Sequence, residues 1–349
     1  MEFLLTYQPL SDICRCIDKM SDNKHVFFRQ DRNNFRIYAK STEFYVDFVG
    51  SLFTDLTEFG FGVDSKQFLA LIKKMDKKDV KFSVDKSRLS VQQGSIKAKL
   101  PMLDNILDFA NLTDLPRFEC PGFLDDLEFC AKSVKEDKRF KGIVVESGQV
   151  TNLAKVGFAS CGTSQGGTYS FGDVRFIVSS GAASVLKGFD DEHKKCLVLS
   201  SNVFGVEFFS GVTLYSMLLA DQHPQELFTM FGSPVGASFK INRKALVESL
   251  EMISSVMGDE MGVRWDWNAA EKSWQLSCKT YKGAEITESV MSEIGAEVFE
   301  SFGVHRKAML DILKAFDKSV EEVFVFPGTG PFVYVTAGRY VAALTKMSL

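Results

Sequence analysis

Residues 63–75 read Val-Asp-Ser-Lys-Gln-Phe-Leu-Ala-Leu-Ile-Lys-Lys-Met, and residues 79–84 continue Asp-Val-Lys-Phe-Ser-Val. In the first stretch the apolar side chains recur at the three- and four-residue spacing of a helix with one buried face. In the second stretch apolar and polar residues alternate, as in a strand with one buried face. Together they predict one structural unit, a helix followed by strands.

This unit recurs six times along the chain. Helical apolar stripes begin near Pro9, Asp64, Pro121, Ser180, Asn242 and His305, at intervals of about 55 to 63 residues. Strand-like runs fill the intervals, for example at 88–91, 197–199, 203–209, 323–326 and 332–335. One unit cannot bury the apolar faces of its own helix and sheet, so two units together make a domain. The sequence therefore predicts three similar two-layer α+β domains, at 1–113, 114–230 and 231–349.

Composition excludes some classes of protein. The net charge of −4 argues against a protein that coats nucleic acid through overall positive charge, although a local basic patch remains compatible with it. The seven cysteines are odd in number and irregularly spaced, which favours free thiols in a reducing compartment. We read no secretory signal and no apolar run of about 20 residues. The expectation is a cytoplasmic protein without a membrane partner.

Several stretches carry a family resemblance. They are residues 63–75, residues 79–84, Gly-Ser-Ile-Lys-Ala-Lys-Leu-Pro at 94–101, Leu-Leu-Ala-Asp-Gln-His-Pro at 218–224, and the C-terminal residues 308–315 and 333–344. In order, period and length the chain resembles the bacterial DNA polymerase III beta clamp family. The resemblance implies a DNA-clamp fold, with helices lining a ring and sheets outside. It also implies a non-enzymatic processivity factor that encircles duplex DNA and closes as a head-to-tail homodimer.

The sequence departs from the family in two places. The family usually has Asp-Gly-His-Arg after a strand of its second domain, where residues 157–164 read Gly-Phe-Ala-Ser-Cys-Gly-Thr-Ser. It also tends to end in a Met-Pro pair, where residues 342–349 read Ala-Ala-Leu-Thr-Lys-Met-Ser-Leu. Both regions line the family's partner pocket. Such divergence suits a phage protein or another remote relative, placed in a bacterial cytoplasm or an infected host cell.

Basic residues on the predicted helices are candidates for contact with DNA phosphates. Lys66, Lys73 and Lys77 are separated by seven and four residues, a spacing that predicts one shared helical face, and Lys307, Lys314 and Lys318 repeat that spacing. Further candidates are Lys24, which matches a DNA-contacting loop position by resemblance, and Arg15, Lys19, Arg243 and Lys244. The alternative is that these residues form the ordinary solvated faces of amphipathic helices.

The resemblance also implies two protein-binding sites. At the ring interface Ala98 and Leu100 of one chain would face Val256 and Met257 of another, in a heterologous contact that closes by symmetry. An apolar groove would take short peptides from the polymerase and the clamp loader. The positions that match this groove are Pro224, Thr229, Phe332, Val341, Ala343 and Leu344. The alternative for both sets is plain core packing.

Nothing in the sequence has the spacing of an enzyme site. None of the four histidines stands at metal-ligand spacing from another ligand. Neither Gly60-Phe61-Gly62 nor Gly328-Thr329-Gly330 has the lysine of a phosphate-binding loop. We therefore expect no catalytic residue, metal or cofactor. Two other interpretations stay open: a repeat-built structural or interaction protein without a nucleic-acid partner, and an enzyme whose site assembles from distant residues.

Overall fold

The computed structural model describes residues 2–20, 22–31, 34–50, 58–103, 112, 114–119, 123–132, 142–146, 149–154, 160–164, 175–179, 181–182, 185, 194–220, 234–258, 262–280, 283–294 and 299–348. The chain forms two compact units. The first combines Met1–Cys120 with Ser184–Leu218, and the second combines Pro121–Ala183 with Leu219–Leu349. Each unit therefore takes part of the predicted middle domain.

The first unit contains two helices and two antiparallel sheets. Its helices are α1 (Tyr7–Asp18) and α2 (Ser65–Ile72). The smaller sheet has the order β1 (Glu2–Leu5), β6 (Val80–Asp85), β7 (Arg88–Gln93), β8 (Ile96–Pro101). The larger has the order β5 (Phe59–Asp64), β2 (His25–Asp31), β3 (Asn34–Lys40), β4 (Phe44–Gly50), β16 (Val212–Met217), β15 (Val203–Phe208), β14 (Lys194–Leu199), β9 (Arg117–Phe118).

The second unit contains helices α3 (Phe123–Lys132), α4 (Arg243–Met257) and α5 (Arg306–Ala315). Its strands form one sheet in the order β13 (Arg175–Val178), β10 (Ile143–Glu146), β11 (Gln149–Ala154), β12 (Ser160–Ser164), β24 (Tyr340–Met347), β21 (Phe302–His305), β18 (Gly262–Asn268), β19 (Ser273–Lys279), β20 (Glu285–Ile294), β17 (Phe239–Asn242), β22 (Glu322–Phe326), β23 (Phe332–Ala337). Strand β24 also pairs with β23.

Local capping explains why three of the helices, α2, α4 and α5, begin where the sequence predicts. The side chains of Asp64, Asn242 and His305 each accept the backbone N–H three residues later, at 2.9, 2.9 and 3.4 Å. Such bonds satisfy a donor that the first helical turn leaves unpaired. Five of the six predicted helices are confirmed by the structure, and among them α1 begins without a capping side chain. Of the predicted fourth helix, Gly181, Ala182 and Val185 are helical, and the remainder lies outside the described residues.

Each unit has its own aromatic core. In the first unit the ring of Phe28 lies 5.6 Å from that of Phe68 on α2. In the second unit the rings of Phe239 and Trp274 lie 4.4 Å apart, beside Trp265 and Phe302. The apolar stripes of the helices pack onto these sheets, since Leu246, Leu250 and Ile253 of α4 are fully buried. This is the two-layer α+β arrangement predicted from the repeat.

The strand order repeats along the chain, so strands can be matched between repeats. Strands β4, β12 and β20 occupy corresponding places, as do β8, β16 and β24. Two such pairs are joined within the chain, because β4 pairs with β16 and β12 pairs with β24, both antiparallel. The third pair is not joined. Among the described strands β8 pairs only with β7, and residues 285–291 of β20 pair only with β19.

Candidate nucleic-acid interface and partner sites

The first unit presents a group of basic residues on two helices that lie side by side, α1 and α2. The predicted DNA-facing residues here are all exposed: Arg15, Lys19, Lys24, Lys66, Lys73 and Lys77. Lys73 Nζ lies 2.9 Å from Asp18 Oδ1, so one acidic side chain of α1 offsets one lysine of the group.

The predicted lysine stripe on α2 needs a correction. The helix ends at Ile72, and Lys73 is its C-cap. After Lys73 the next two backbone N–H groups each bond to the carbonyl three residues earlier instead of four. Lys74 N donates to Leu71 O, and Met75 N donates to Ile72 O. Lys66 therefore lies in the first helical turn and Lys77 lies beyond the helix. The prediction that Lys66, Lys73 and Lys77 share one helical face was wrong, although all three are exposed.

The second unit presents a similar pair of helices, α4 and α5, with a different charge pattern. Lys314 Nζ lies 2.6 Å from Glu251 Oε1, and Lys244 Nζ lies 3.8 Å from Glu248 Oε1. Lys307 is half-buried. Lys318 is exposed but follows the end of α5, which is Ala315. Acidic neighbours thus offset much of the positive charge of this helix pair.

Arg243 has a structural use that sequence reasoning missed. Its Nε and two terminal nitrogens donate to the backbone carbonyls of Val320, Leu313 and Lys318, at 2.6, 3.1 and 3.3 Å. Carbonyl groups near the end of a helix have no partner within it. The guanidinium supplies a partner for Leu313 O in the last turn of α5 and for two carbonyls of the segment that follows, so we leave Arg243 out of the proposed DNA-facing set.

The four residues predicted at the ring interface fall into two groups. Leu100 is 7% exposed and Met257 is 8% exposed, so each packs in the core of its own unit. Ala98 on β8 is half-buried. Val256 is 60% exposed, and Met252, one helical turn earlier, is 51% exposed. The outer side of α4 therefore carries an apolar patch of Met252 and Val256.

The predicted peptide-groove residues are also divided by the structure. Pro224 and Thr229 lie outside the described residues. On β24, Ala343 and Leu344 are buried and Val341 is half-buried. Phe332 lines a cavity of about 550 Å³. The cavity is also lined by Val235, Phe299, Pro331, Tyr334 and Lys346.

The cavity has one cationic group on its wall. Lys346 Nζ donates to Gly328 O at 2.6 Å, and desolvation by burial lowers the pKa of this lysine. Val235, another residue of the cavity lining, is 75% exposed. The wall is mixed: Phe299, Pro331 and Phe332 present apolar surface, while Glu300, Ser301, Thr329 and Lys346 present polar groups, so it suits a ligand that carries both kinds of side chain.

Other chemistry-bearing residues serve the fold. His25 packs edge-on against Phe27, and His305 caps α5. Burial raises the pKa of Cys14 and of Cys16, which keeps both thiols protonated. Within the described ranges, no group of three or more His, Cys, Asp or Glu side chains could hold a metal ion. In the same part of the chain, no helix combines the length and apolarity needed to span a membrane.

Comparisons with models of known protein families and with curated protein sequences find no match. Solved structures match along the whole chain. The DNA polymerase III beta subunit of Thermotoga maritima has a TM-score of 0.78 at 15% identity, covering 100% of this chain and 99% of that one. The Pseudomonas aeruginosa DNA polymerase sliding clamp has 0.80 at 14% identity, covering 100% of both. The Helicobacter pylori beta clamp bound to a DNA ligase peptide has 0.74 at 13% identity, again covering 100% of both.

The chain has the sliding-clamp fold. This confirms the fold that the six-unit rhythm and the family resemblance predicted. Two features were not found by the sequence reasoning above: the part of Met252 in the exposed apolar patch of α4, and the cavity beside Phe332. Met252 lies at i−4 from Val256, so a helical wheel of α4 could have found the patch. The cavity had no comparable signal, because 299–302, 327–334 and 346 meet only in the folded sheet.

Proposed function

We propose that this protein is a DNA sliding clamp, a non-enzymatic cytoplasmic subunit that encircles duplex DNA and tethers a polymerase to it. The observation that carries the proposal is the match to clamp structures over the full length of the chain. The clamp domains of this proposal are 1–113, 114–230 and 231–349. Polymerase and loader would dock through short peptides.

The strand repeat supports closure by a second copy of the chain. Two of the three corresponding strand pairs are already joined, β4 with β16 and β12 with β24. In the third pair, β20 and β8 each keep an edge that no described strand covers. Exposed strand edges invite pairing with another chain. We infer that β20 of one copy pairs with β8 of the next, head to tail, and that two copies close the ring.

The repeat also predicts the register of this joint. The β7–β8 and β23–β24 hairpins both turn through two residues with a positive-φ glycine, Gly94 and Gly338, which aligns Ile96 with Tyr340. The helix caps Asp64 and His305 occupy corresponding places in the repeat. Their partners on the neighbouring strands are His25 and Gly262, so His25 aligns with Gly262. Carried through the sheet registers, these alignments match Tyr45 to Glu285. The cap Ser179, whose hydroxyl accepts from Ala182 N, extends the alignment through β10, β11 and β12 and matches Tyr45 to Cys161 as well. Cys161 pairs with Ala343, which the hairpin alignment matches to Lys99, and Tyr45 pairs with Tyr215, so Tyr215 matches Lys99.

Tyr45 and Tyr215 face each other across β4 and β16, so Glu285 of one copy would face Lys99 of the other. The charges support this register. Lys97 and Lys99 on β8 are exposed, as is Glu285 on β20, whose carboxylate lies 3.8 Å from Lys279 Nζ on β19. An opposite-charge pair across two strands is favourable.

The helices support the same joint. In the first unit α1 contacts both β4 and β16. In the second unit α4 contacts β20, and its exposed Met252 and Val256 have no described strand over them. Strand β8 of a second copy would bring Ile96 and Ala98 to this patch, which would remove apolar surface from water.

The exposed basic residues of α1, α2 and the loop before β2 support weak, sequence-independent contact with DNA phosphates. A clamp is held on DNA by topology, so such contacts need only guide it. The cavity lined by Phe332 supports peptide docking, since one large apolar anchor in a pocket can supply much of a peptide's affinity. The Helicobacter pylori clamp named above is a relative in fold that was solved bound to a DNA ligase peptide.

A charge-swap experiment tests the proposal. Lys99→Glu and Glu285→Lys should each shift the protein from dimer towards monomer in sedimentation, and each should reduce processive synthesis by a polymerase that uses this clamp. The double variant should recover both, because the pair is restored with its signs exchanged. Lys86→Glu, on the β6–β7 turn of the first unit, is the matched control and should leave the dimer intact.

Two outcomes would contradict the clamp assignment. A wild-type chain that remains a monomer at high concentration would support the alternative of a repeat-built interaction protein. A dimer that is indifferent to Lys99 and Glu285, and that leaves processive synthesis unchanged, would reject both the register and the function.

A further inference from the structure

The short loop between α1 and β2 is held by hydrogen bonds from the β3–β4 turn and from the start of α2. We define the Lys24 loop as residues 22–24. The backbone N and Oγ1 of Thr42 both donate to Asp22 Oδ2, at 3.0 and 2.7 Å. His25 N donates to Asn23 Oδ1 at 2.9 Å. Ser65 Oγ donates to Asn23 O at 3.1 Å, and Ser65 N donates to Lys24 O at 3.0 Å.

These bonds fix the loop from two sides. Asp22 ties it to the β3–β4 turn, which contains Thr42, and Ser65 ties it to the first residue of α2. Lys24 itself is exposed, and its backbone is fixed by the bond to Ser65. The side chain of Lys24 therefore leaves the surface from a defined point close to Lys66, the second residue of α2.

The charge of Asp22 by itself is unfavourable for DNA binding at this place. A carboxylate two residues from a phosphate-contacting lysine repels DNA. The hydrogen bonds from Thr42 lower the pKa of Asp22, so the carboxylate stays ionised at neutral pH. Its negative charge is therefore kept on the surface, and its evident use is as an acceptor for two donors of Thr42.

We propose that Asp22, through its hydrogen bonds to Thr42, is a positioning residue that holds Lys24 ready for contact with a phosphodiester backbone. This inference rests on the proposed function, since it assigns a role within DNA contact. Fixing the backbone of a residue costs conformational entropy, and a loop ordered in advance does not incur that cost on binding. Asp22 itself does not touch DNA in this account.

Two alanine variants separate positioning from charge. Asp22→Ala and Asp76→Ala each remove one exposed carboxylate from the surface around α2, and only Asp22 accepts the bonds from Thr42. Charge alone predicts tighter binding for both. Positioning predicts that Asp22→Ala binds a labelled duplex about fivefold more weakly, and that Asp76→Ala binds as well as wild type or better. Equal tightening by both variants would overturn the inference.

A second pair of variants acts on the donor. Thr42→Val keeps the shape of the side chain and removes the hydroxyl, whereas Thr42→Ser keeps the hydroxyl. We expect weaker binding for the valine variant and recovery in the serine variant. In a Lys24→Ala background, Asp22→Ala and Thr42→Val should have no further effect, because the residue they position is gone. A further loss in that background would show a general structural role and would reject positioning.

Salt dependence and stability complete the test. Lys24→Ala should lower the slope of log binding constant against log salt by about 0.9, the value of one phosphate contact on duplex DNA. An unchanged slope would reject Lys24 as a contact, and the inference with it. Unfolding midpoints of all variants should match wild type. Failure of the wild-type protein to bind duplex DNA at low salt would instead count against the proposed function itself.

Discussion

Two helix pairs, α1 with α2 and α4 with α5, each lie side by side and carry different charge patterns. Around α1 and α2, Lys73 pairs with Asp18, while Lys24 in the loop after α1, Lys66 in α2 and Lys77 beyond α2 are exposed and have no ion pair in the part of the chain that the structure describes. On α4 and α5, Lys244 and Lys314 each lie beside a glutamate, and Arg243 binds backbone carbonyls. The repeat preserves the apolar stripe in all four helices and a capping side chain in α2, α4 and α5, and leaves the outer face free to differ. Contact with DNA should therefore be uneven and should concentrate on the first unit.

The largest expected effect comes from neutralising the first helix pair. The triple variant Lys24→Ala, Lys66→Ala, Lys77→Ala should weaken duplex binding by about a hundredfold at moderate salt, since each lysine that neutralises a phosphate contributes about 0.9 to the salt slope. The matched variant of the second unit, Lys244→Ala, Lys314→Ala, Lys318→Ala, should weaken binding about tenfold or less. Fluorescence anisotropy of a labelled duplex over a salt series measures both. Equal weakening of duplex binding by the two variants would contradict the expectation that DNA contact concentrates on the first unit.

Substitution of Arg243 should have an intermediate effect, which is on the stability of the second unit. Arg243→Ala removes three charge-assisted hydrogen bonds to backbone carbonyls and should lower the free energy of unfolding by about 2 kcal/mol. Lys244→Ala, its neighbour, should change stability little, because its ion pair is exposed. Urea unfolding followed by tryptophan fluorescence suits this test, since all three tryptophans, Trp265, Trp267 and Trp274, lie in the second unit.

A result with Arg243→Ala as stable as Lys244→Ala, and with duplex binding reduced instead, would return Arg243 to the DNA-facing set. The comparison between the helix pairs would then need revision, because the second pair would regain a phosphate contact.

The smallest effect should come from releasing a lysine from its acidic neighbour. Glu251→Gln frees Lys314 in the second unit, and Asp18→Asn frees Lys73 in the first. Both ion pairs are about half exposed, so each is weak, and each variant should bind duplex DNA about twofold more tightly. Unchanged binding in Glu251→Gln would mean that Lys314 does not face DNA even when it is free.

The contrast between the helix pairs also marks what a sequence can reveal. Helix starts were predictable because the apolar spacing and the caps Asp64, Asn242 and His305 are local features. The role of Arg243 was not, since its carbonyl partners lie 70 to 77 positions further along the chain. The pairing of Lys314 with Glu251 depends on how two helices pack. The extent of α2 was misjudged because a helical spacing pattern continues past the residue where the backbone tightens.

The protein-binding sites divide in the same way. Val256 stands on a helix whose wheel predicts an outward face, and it is exposed. Leu100 and Met257, assigned to the interface by resemblance as Val256 and Ala98 also were, are buried in the cores of their own units. Sequence spacing cannot separate a core residue from an interface residue when both are apolar. The strand edges of β8 and β20 became visible only when the pairings of all other strands were known.

A covalently locked joint between two copies tests most directly whether this protein encircles DNA. In the double variant Lys99→Cys, Glu285→Cys, the two thiols face each other across the proposed joint, so oxidation should close the ring covalently around DNA that is already threaded. After mixing with circular duplex, oxidation and a high-salt wash, the protein should stay on the circle and leave once the circle is cut. The single variant Lys99→Cys should wash off both forms. Equal release of the oxidised double variant from circular and cut DNA would contradict the account.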